Sequence, residues 1–325
     1  MKTRKIGSFE VTAVGIGCMP LSDMPPKTPS MLDDRAAAIS VIHAALDFGV
    51  TLLDTADIYA PTWNTIGHNE RLVGEAVRTW SGTPAQKAKL VLATKGGITR
   101  DREDGNWFGV SGRNADKHYL FRAVEASALR LGVEQIDVWQ HHRLDHFMPY
   151  ETQVENVMAL KEHGYVKHVA VSNVNAEQLR RAIKIGGTPA EGGIVSVQNE
   201  YSPRYRNSQE VIDICTEYGI AFLPWSPLGG IGKGSKDLAS DRFGSFNSIA
   251  EAKGVSPFAL TVAWHLANFP TSIPIPSSTR KENILETIEG VNIDITASEL
   301  AELNENLPTT SPVDGELLDQ PPFRN

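Results

Sequence analysis

The stretch VTLLDTADIY, residues 50–59, combines an apolar run with a polar end. Its first half is typical of a strand that is covered on both faces, as in a parallel sheet. The stretch also contains two carboxyl groups, those of Asp54 and Asp57, and the phenol of Tyr59. Because the active sites of α/β proteins lie at the carboxyl ends of parallel strands, this stretch predicts a parallel sheet with a site at its edge.

Similar apolar runs recur along the chain, and helical segments separate them. In residues 35–49, Ile39, Ile42 and Leu46 share one helix face, and Gly49 stands where a glycine ends a helix. Together with VTLLDTA there are eight runs, the others being VTAVGIGC, LVLATK, IDVWQ, VKHVAVS, GGIVSVQ, IAFLPWS and TSIPIP. Eight strands that alternate with helices predict an α/β fold of the (β/α)8 TIM-barrel type.

The same pattern leaves an open, doubly wound sheet as the alternative architecture. That fold places a glycine-rich phosphate turn between an early strand and the following helix. The sequence GIGCMP, residues 15–20, does not provide such a turn, which favours the barrel. No low-complexity linker divides the chain, so we expect a single domain over residues 1–325 with a C-terminal helix and tail. Gly7 and Ser8 lie between two short alternating stretches and predict an N-terminal hairpin that plugs the barrel.

Composition and charge exclude several classes of protein. Hydrophobic residues make up 41% of the 325 residues and charged residues 22%, as in ordinary globular domains. The net charge of −8 creates no field that attracts phosphate backbones, so nucleic acid is not expected as a partner. Cys18 and Cys215 lie in apolar runs and are expected to be buried thiols in a reducing compartment. Without an apolar run of about 18 residues or a signal-peptide pattern, the protein is expected to be cytoplasmic, with no membrane contact.

Polar residues follow the ends of several predicted strands. In chain order they are Asp54, Tyr59, Lys95, His141, His142, Ser172, Asn173, Gln198, Trp225 and Ser226. A closed barrel would bring all of them to one mouth. Taken singly, each is more often structural than catalytic, but their grouping at successive strand ends favours a functional site. His141 and His142 point to opposite faces of their strand, so only one of them faces the barrel.

An acid, an ammonium, a phenol and an imidazole together suit proton transfer to a carbonyl oxygen. A tyrosine hydroxyl, with a reference pKa of about 10, is a weak acid at neutral pH. A neighbouring lysine stabilises the phenolate and lowers that pKa, and an aspartate holds the ammonium in place. An imidazole orients the carbonyl through a hydrogen bond. The group therefore predicts proton donation to a carbonyl while another reactant attacks its carbon.

The motifs that contain these residues resemble, in order, those of the aldo-keto reductases. LLDTADIY followed by GHNERLVGEAV resembles the family's Asp and Tyr segment, VLATKGG its lysine strand and IDVWQHHRLD its histidine strand. VAVSNVNAEQL, VQNEYSP, PWSPLGGIG and IPIPSSTRKENILETI continue the match. The resemblance covers residues 3–305 and implies an NADPH-dependent oxidoreductase that reversibly reduces an aldehyde or ketone to an alcohol.

The resemblance implies a catalytic tetrad of Asp54, Tyr59, Lys95 and His142. Tyr59 would donate the proton, Lys95 would tune the pKa of Tyr59, Asp54 would anchor Lys95, and His142 would orient the substrate. His142 is preferred to the histidine before it because it stands immediately before the arginine in HHRLD. Asp57 has no catalytic role in this interpretation and is expected to be a turn or loop carboxylate.

The resemblance also implies that NADPH lies across the barrel mouth without a Rossmann fold. The expected cofactor contacts are Ser172, Asn173 and Gln198 at the nicotinamide carboxamide, Trp225 on its ring, Ser226 and Leu228 in the loop over the pyrophosphate, Ser277, Ser278 and Arg280 at the adenosine 2′-phosphate, and Glu286 at the adenine. Many members of the family have a lysine where this chain has Ser277 and an asparagine where it has Thr287. NADP is therefore the expected cofactor, NAD stays open as an alternative, and no metal is expected.

Aromatic residues near the expected mouth suit an aldehyde, a ketone or a sugar-derived carbonyl compound. The candidates for the substrate pocket are Met19, Trp63, Trp107 and Phe108. They do not single out one substrate. The partner is expected to be a small-molecule carbonyl compound, and the protein is expected to be a monomer or a homo-oligomer.

Two other functions compete with carbonyl reduction. A metal-dependent TIM-barrel hydrolase would use His141, His142 and Asp54 as ligands, but such sites usually take histidines from several strand ends. A cofactor-sensing or regulatory subunit would keep the reductase fold and lose its activity. The complete tetrad speaks against that second alternative.

Overall fold

Strands and helices alternate along the chain, as the sequence pattern predicts. The computed structural model describes residues 1–23, 32, 34–100, 110–229 and 244–307. The strands are β1 Thr3–Ile6, β2 Phe9–Thr12, β3 Ile16–Gly17, β4 Leu52–Asp54, β5 Val91–Gly96, β6 Ile98–Arg100, β7 Val110–Arg113, β8 Ile136–His141, β9 Val166–Ser172, β10 Ile194–Gln198 and β11 Ala221–Phe222. The helices are α1 Arg35–Phe48, α2 His68–Thr79, α3 Pro84–Lys87, α4 Lys117–Leu131, α5 Tyr150–Glu162, α6 Ala176–Gly186, α7 Gln209–Tyr218, α8 Gly244–Lys253, α9 Pro257–Asn268, α10 Lys281–Ile288 and α11 Ala297–Glu305.

Parallel strands form one curled sheet, in the order β11, β10, β9, β8, β5, β4 and β3. Residues 272–276 close this sheet into a barrel on its eighth side. The N–H of Ile273 donates to the carbonyl of Phe222 in β11 over 2.8 Å. On the opposite side, the carbonyls of Pro274 and Pro276 accept hydrogen bonds of 3.0 and 2.9 Å from the segment that contains β3.

Proline explains why this eighth segment is not a regular strand. Pro274 and Pro276 have no N–H, so neither can donate to the neighbouring strand. Their carbonyls still accept hydrogen bonds from the β3 side, which keeps the barrel closed. The (β/α)8 architecture that the apolar runs predict is therefore confirmed, with TSIPIP as its irregular eighth side.

An N-terminal hairpin closes the end of the barrel opposite the predicted site. β1 and β2 pair antiparallel around a turn at Gly7, whose φ of 55° favours glycine. The buried side chains of Ile6 and Val11 belong to the same apolar cluster as Leu52 and Val91 of the barrel interior. The predicted hairpin plug is confirmed.

A second antiparallel pair lies directly after β5, at the carboxyl end of the barrel. β6 and β7 pair with Ile98 opposite Arg113. The carbonyl of Gly97 accepts a hydrogen bond from the N–H of Asn114 over 2.9 Å, which ties the pair to the end of β5. Neither strand is among the eight predicted runs, so the pair adds to the predicted fold.

The main apolar core lies between the barrel and the surrounding helices. In α1, Ile42 and Leu46 are buried in this core, as their spacing predicts. Asp34 caps the helix by accepting a hydrogen bond from the N–H of Ala37. Gly49 ends it with a φ of 110°, a conformation that side chains rarely adopt. Burial of one helix face thus fixes α1 against the sheet.

Both cysteines are buried free thiols, as predicted, and burial raises the pKa of each of them. Within the described ranges, no helix has the length and apolarity needed to span a membrane. The predicted C-terminal helix corresponds to α11. The tail after residue 307 lies outside the described residues, and a single domain over residues 1–325 stays a prediction.

Candidate active site

The inward-facing side chains change from apolar to polar near the carboxyl ends of the strands. Alternation along a strand turns every second residue inward. Leu52 on β4 and Ala93 on β5 belong to the inner apolar cluster, and Asp54 and Lys95 follow two positions later. The polar layer consists of Asp54, Lys95, Gln140, Ser172 and Gln198. This layer lies at the end of the barrel where the sequence predicts a site.

Lys95 joins Asp54 and Tyr59 in one buried chain of hydrogen bonds. Its Nζ donates to Oδ2 of Asp54 over 2.6 Å and to the hydroxyl of Tyr59 over 3.1 Å. A third hydrogen bond of 2.9 Å reaches the carbonyl of Thr55. The exposed fractions are 0% for Lys95, 2% for Asp54 and 8% for Tyr59. The structure therefore brings three members of the predicted tetrad together, with the lysine at the centre.

Charge and burial act in opposite directions on Lys95 and Tyr59. Burial alone lowers the pKa of Lys95, but the carboxylate of Asp54 and the oxygen of Tyr59 outweigh burial and raise it. Lys95 therefore stays an ammonium at neutral pH. For Tyr59, burial raises the pKa more than Lys95 lowers it, so the pKa lies above its usual value. Lys95 thus acts on the pKa of Tyr59 in the predicted direction, but the burial of the hydroxyl outweighs it.

Two glutamines hold the second oxygen of Asp54. The Nε2 group of Gln140 donates to Oδ1 over 2.9 Å, and that of Gln198 donates to the same oxygen over 2.8 Å. Gln140 is not among the predicted site residues. It stands two positions before His142, so strand alternation could have indicated that its side chain points inward. Gln198 was expected at the cofactor, but its amide N–H groups are directed to Asp54 and Gln140.

The histidine pair separates as strand alternation predicts. The ring of His142 meets the ring of Tyr59 edge-on, with 5.8 Å between the centroids. The ring of His141 lies beside Gly97 instead. Burial, together with the charge of Lys95, holds the pKa of His142 well below its usual value, so the imidazole is neutral. Within the described part of the chain, its Nδ1 has no hydrogen-bond partner.

Asp57 lies in the turn between Asp54 and Tyr59, as expected, but it is buried. Its N–H donates to the carbonyl of Lys95 over 3.1 Å, and its own carbonyl accepts from the N–H of Gly67 over 2.6 Å. Burial, reinforced by a neighbouring glutamate, raises the pKa of its carboxyl group well above the usual value. Its backbone therefore braces the turn that presents Tyr59.

The residues expected at the nicotinamide lie together beside His142. The hydroxyl of Ser172 donates to the carbonyl of Gln198 over 2.6 Å, and Nδ2 of Asn173 donates to the carbonyl of His142 over 3.0 Å. The indole N–H of Trp225 donates to Oδ1 of Asn173 over 3.2 Å. These donors thus brace one another and the histidine. Their contacts with a cofactor stay predictions.

A strained loop follows Trp225. Ser226 has a φ of 49°, which is uncommon for a residue other than glycine. The next carbonyl, that of Pro227, accepts a hydrogen bond of 3.0 Å from the imidazole of His265 on α9. Leu228 is partly buried against the main core. Helix α9 therefore holds the start of the loop that was expected at the pyrophosphate.

Burial of His265 makes the stability of the protein sensitive to acid. Burial lowers the pKa of His265 in the folded protein to about 4. In the unfolded chain the pKa is about 6.5, so between pH 6.5 and 4 the proton binds mainly to the unfolded state and stabilises it. We expect the variant His265→Asn, which keeps an N–H donor, to lose less unfolding free energy than the wild type between pH 6.5 and 4, by up to roughly 3 kcal/mol. Urea unfolding at several pH values measures this difference. Parallel pH profiles for the two proteins would contradict it.

The residues expected at the adenosine end form a second group on the segment after residue 276. Ser277 and Arg280 are exposed, and Ser278 is partly buried. The hydroxyl of Ser278 accepts a hydrogen bond of 3.0 Å from the N–H of Arg280, which stands immediately before α10. Glu286 is exposed on the same helix. The group therefore combines a guanidinium, two hydroxyls and a helix N-terminus.

The expected substrate pocket is described only in part. Met19 packs against the cluster that contains Tyr59, while Trp63 is 42% exposed. Trp107 and Phe108 lie outside the described residues. The structure thus brings Met19 to the tetrad and leaves Trp63 at the rim.

The rival metal site finds no support in the described ranges. Among these residues, no three histidine, cysteine, aspartate or glutamate side chains form a group that could hold a metal ion. His141 and His142 also turn to opposite sides of β8, so they do not form the expected pair of ligands.

Comparison with known proteins decides the family. The model of the Aldo/keto reductase family matches residues 13–307 of this chain. The chain belongs to the aldo/keto reductase family. The motifs LLDTADIY, VLATKGG and IDVWQHHRLD all lie within the matched residues.

Other aldo-keto reductases share the fold of this one. An aldo/keto reductase from Klebsiella pneumoniae, solved with NADP and acetate, has a TM-score of 0.74 and 23% identity, over 94% of this chain and 95% of its own. An aldo-keto reductase from Bacillus halodurans in its holo form has a TM-score of 0.74 and 22% identity, over 97% of this chain and 99% of its own. An uncharacterized oxidoreductase of Schizosaccharomyces pombe is 29% identical over 310 residues, which cover 93% of this chain and 89% of the relative.

Proposed function

We propose that this aldo/keto reductase is an NADPH-dependent enzyme that reduces an aldehyde or ketone to an alcohol, with Tyr59 as the proton donor. The observation that carries the proposal is the buried chain from Asp54 through Lys95 to the hydroxyl of Tyr59. A carbonyl oxygen gains negative charge during reduction, and this chain of hydrogen bonds ends in a hydroxyl that can give a proton to that oxygen. The reaction is reversible, because the phenolate of Tyr59 can take the proton back from the alcohol, with the hydride returned to the oxidised cofactor.

Burial keeps the pKa of Tyr59 above its usual value, although the charge of Lys95 lowers it. The phenol is therefore protonated at neutral pH. During reduction, the O–H bond of Tyr59 breaks and an O–H bond forms on the substrate. Lys95, 3.1 Å from the hydroxyl, stabilises the phenolate that remains. Asp54 keeps the lysine charged and in place.

His142 is suited to orient the carbonyl compound. Its low pKa makes it a neutral imidazole, which can donate one N–H without adding a second positive charge beside Lys95. Its ring lies against that of Tyr59, so a carbonyl oxygen at the hydroxyl of Tyr59 is also within reach of the imidazole. Proton donation and orientation would thus act on the same oxygen.

The residues around the mouth fit NADPH, which supplies the hydride when bound. Trp225 is partly exposed beside Asn173, and its indole can stack on a nicotinamide. At the far end, Arg280, Ser277 and Ser278 offer a guanidinium and hydroxyls at the start of α10, which suits a phosphate dianion. We propose that these two groups hold the opposite ends of NADPH.

Binding and turnover together test the proposed function. NADPH added to the purified protein is expected to quench its tryptophan fluorescence, and a panel of aldehydes and ketones is then expected to be reduced at the expense of NADPH absorbance. Failure to bind NADPH would contradict the proposal. Binding without any turnover would favour a cofactor-sensing subunit instead. The panel also identifies the substrate class, which Met19 and Trp63 do not determine.

The preference for NADPH over NADH is expected to depend on Arg280. Replacing Arg280 by Ala should raise the Kd for NADPH about 10- to 100-fold, because a charge-assisted contact with the 2′-phosphate is lost. The Kd for NADH should change less than about twofold. Lys281→Ala, which removes the next exposed cation, is the matched control. An equal loss for both cofactors in Arg280→Ala would contradict the assignment.

A further inference from the structure

Asp54 is bound through both of its carboxylate oxygens. Oδ2 accepts from Lys95 over 2.6 Å. Oδ1 accepts from Gln140 over 2.9 Å and from Gln198 over 2.8 Å. The carboxylate is thus fixed from two directions, and its orientation decides where the ammonium of Lys95 lies.

The two glutamines form a closed triangle with Asp54. Nε2 of Gln198 donates to Oε1 of Gln140 over 3.1 Å, in addition to its hydrogen bond with Asp54. This contact sets the amide orientation of Gln140, because its oxygen faces Gln198 and its N–H group faces the carboxylate. Gln140 is 0% exposed, so no solvent contact offers an alternative partner.

Burial makes these donors energetically important. A buried carboxylate needs hydrogen bonds beyond its ion pair, because the attraction within the pair does not by itself offset the loss of water. An apolar residue in place of Gln140 would fill the same space and leave Oδ1 with one donor fewer. A fully buried glutamine whose amide is directed at this carboxylate therefore points to a role in holding the charge.

We propose that Gln140 is a positioning residue of this site, which holds Asp54 so that Lys95 faces the hydroxyl of Tyr59. The proposal rests on the proposed reductase function for its effect on catalysis. Gln140 acts only through Asp54 and does not touch the hydroxyl of Tyr59. Its expected signature is a change in kcat without a change in cofactor binding.

Gln140→Leu is the first test. We expect kcat to fall about 10- to 100-fold, because a hydrogen bond to a charged group is lost. The KM for the carbonyl compound and the Kd for NADPH should stay within about twofold of wild type. Gln135→Leu, near the other end of the same strand, is the control.

Gln140→Glu is the second test, and we expect it to keep the activity only while the introduced glutamic acid is protonated. A protonated glutamic acid can donate its O–H to Oδ1 of Asp54, as the amide does. After that proton is lost, two carboxylates repel each other across the same gap. We therefore expect kcat close to wild type at low pH and a loss at high pH that the wild type does not show. A ratio to wild type that is constant with pH would overturn the proposal, even if Gln140→Leu does not fold.

The structural part of the proposal is separable from the proposed function. The chemical shift of the Asp54 carboxyl carbon, measured by NMR at one fixed pH, needs no turnover, and Gln140→Leu should change it because Oδ1 loses a donor. A wild type without reductase activity would contradict the proposed function alone. An unchanged carboxyl chemical shift, or a Gln140→Leu variant with wild-type kcat, would overturn the role of Gln140.

Discussion

Replacing Tyr59 by Phe is expected to lower kcat for carbonyl reduction by about 10²- to 10⁴-fold, the usual contribution of a general acid. The variant removes the hydroxyl that lies 3.1 Å from Lys95 and keeps the ring against His142. Because Tyr59 has no expected contact with the cofactor, the Kd for NADPH should stay within about twofold of wild type. Steady-state kinetics and tryptophan quenching measure the two quantities separately.

Tyr150→Phe is the matched control for Tyr59→Phe. Tyr150 is also buried, on α5, and its hydroxyl has no hydrogen-bond partner among the residues that the structure describes. Its removal should leave kcat unchanged. A Tyr59→Phe variant that reduces carbonyls at nearly the wild-type rate would show that another group gives the proton.

Replacing Lys95 by Met is expected to affect both stability and activity. Asp54 would remain buried without its cation, and breaking a buried ion pair in this way costs about 3–5 kcal/mol of unfolding free energy. Reduction should fall by at least about 10²-fold, because the phenolate of Tyr59 loses its stabilising charge. Urea unfolding and steady-state kinetics measure the two effects.

A double variant separates the two effects of Lys95. In Asp54→Asn with Lys95→Met, the unpaired charge is gone, so most of the lost stability should return. Activity should stay low, because the ammonium is still absent. A Lys95→Met variant as stable as the wild type would contradict the buried ion pair. A double variant that regains activity would contradict the role of the lysine.

Much of the fold could be predicted from local patterns. The apolar runs at residues 50–54 and 91–95 correspond to β4 and β5. These strands could be predicted because strands that are covered on both faces need apolar side chains on both faces. The inward position of Asp54 and Lys95 follows from the alternation of side chains along those strands. The pairing of these two residues needs only neighbouring parallel strands, which the barrel provides.

Other features depend on tertiary contacts that no local pattern contains. Gln140 joins Asp54 across 86 residues of sequence, so only the closed barrel shows the contact. The pairing of β6 with β7 also depends on tertiary contacts, because the composition of this segment is typical of a loop. The direction of the pKa shift of Tyr59 depends on how deeply the hydroxyl is buried, which outweighs the charge of Lys95.

The most direct test of the central claim follows NADPH absorbance when carbonyl compounds are added to the wild type and to Tyr59→Phe side by side. Both proteins should bind NADPH. The wild type should oxidise it and release the corresponding alcohol, and Tyr59→Phe should do so at least about 100-fold more slowly. A wild type that binds NADPH and reduces none of the compounds, or a Tyr59→Phe variant that matches the wild-type rate, would contradict the claim.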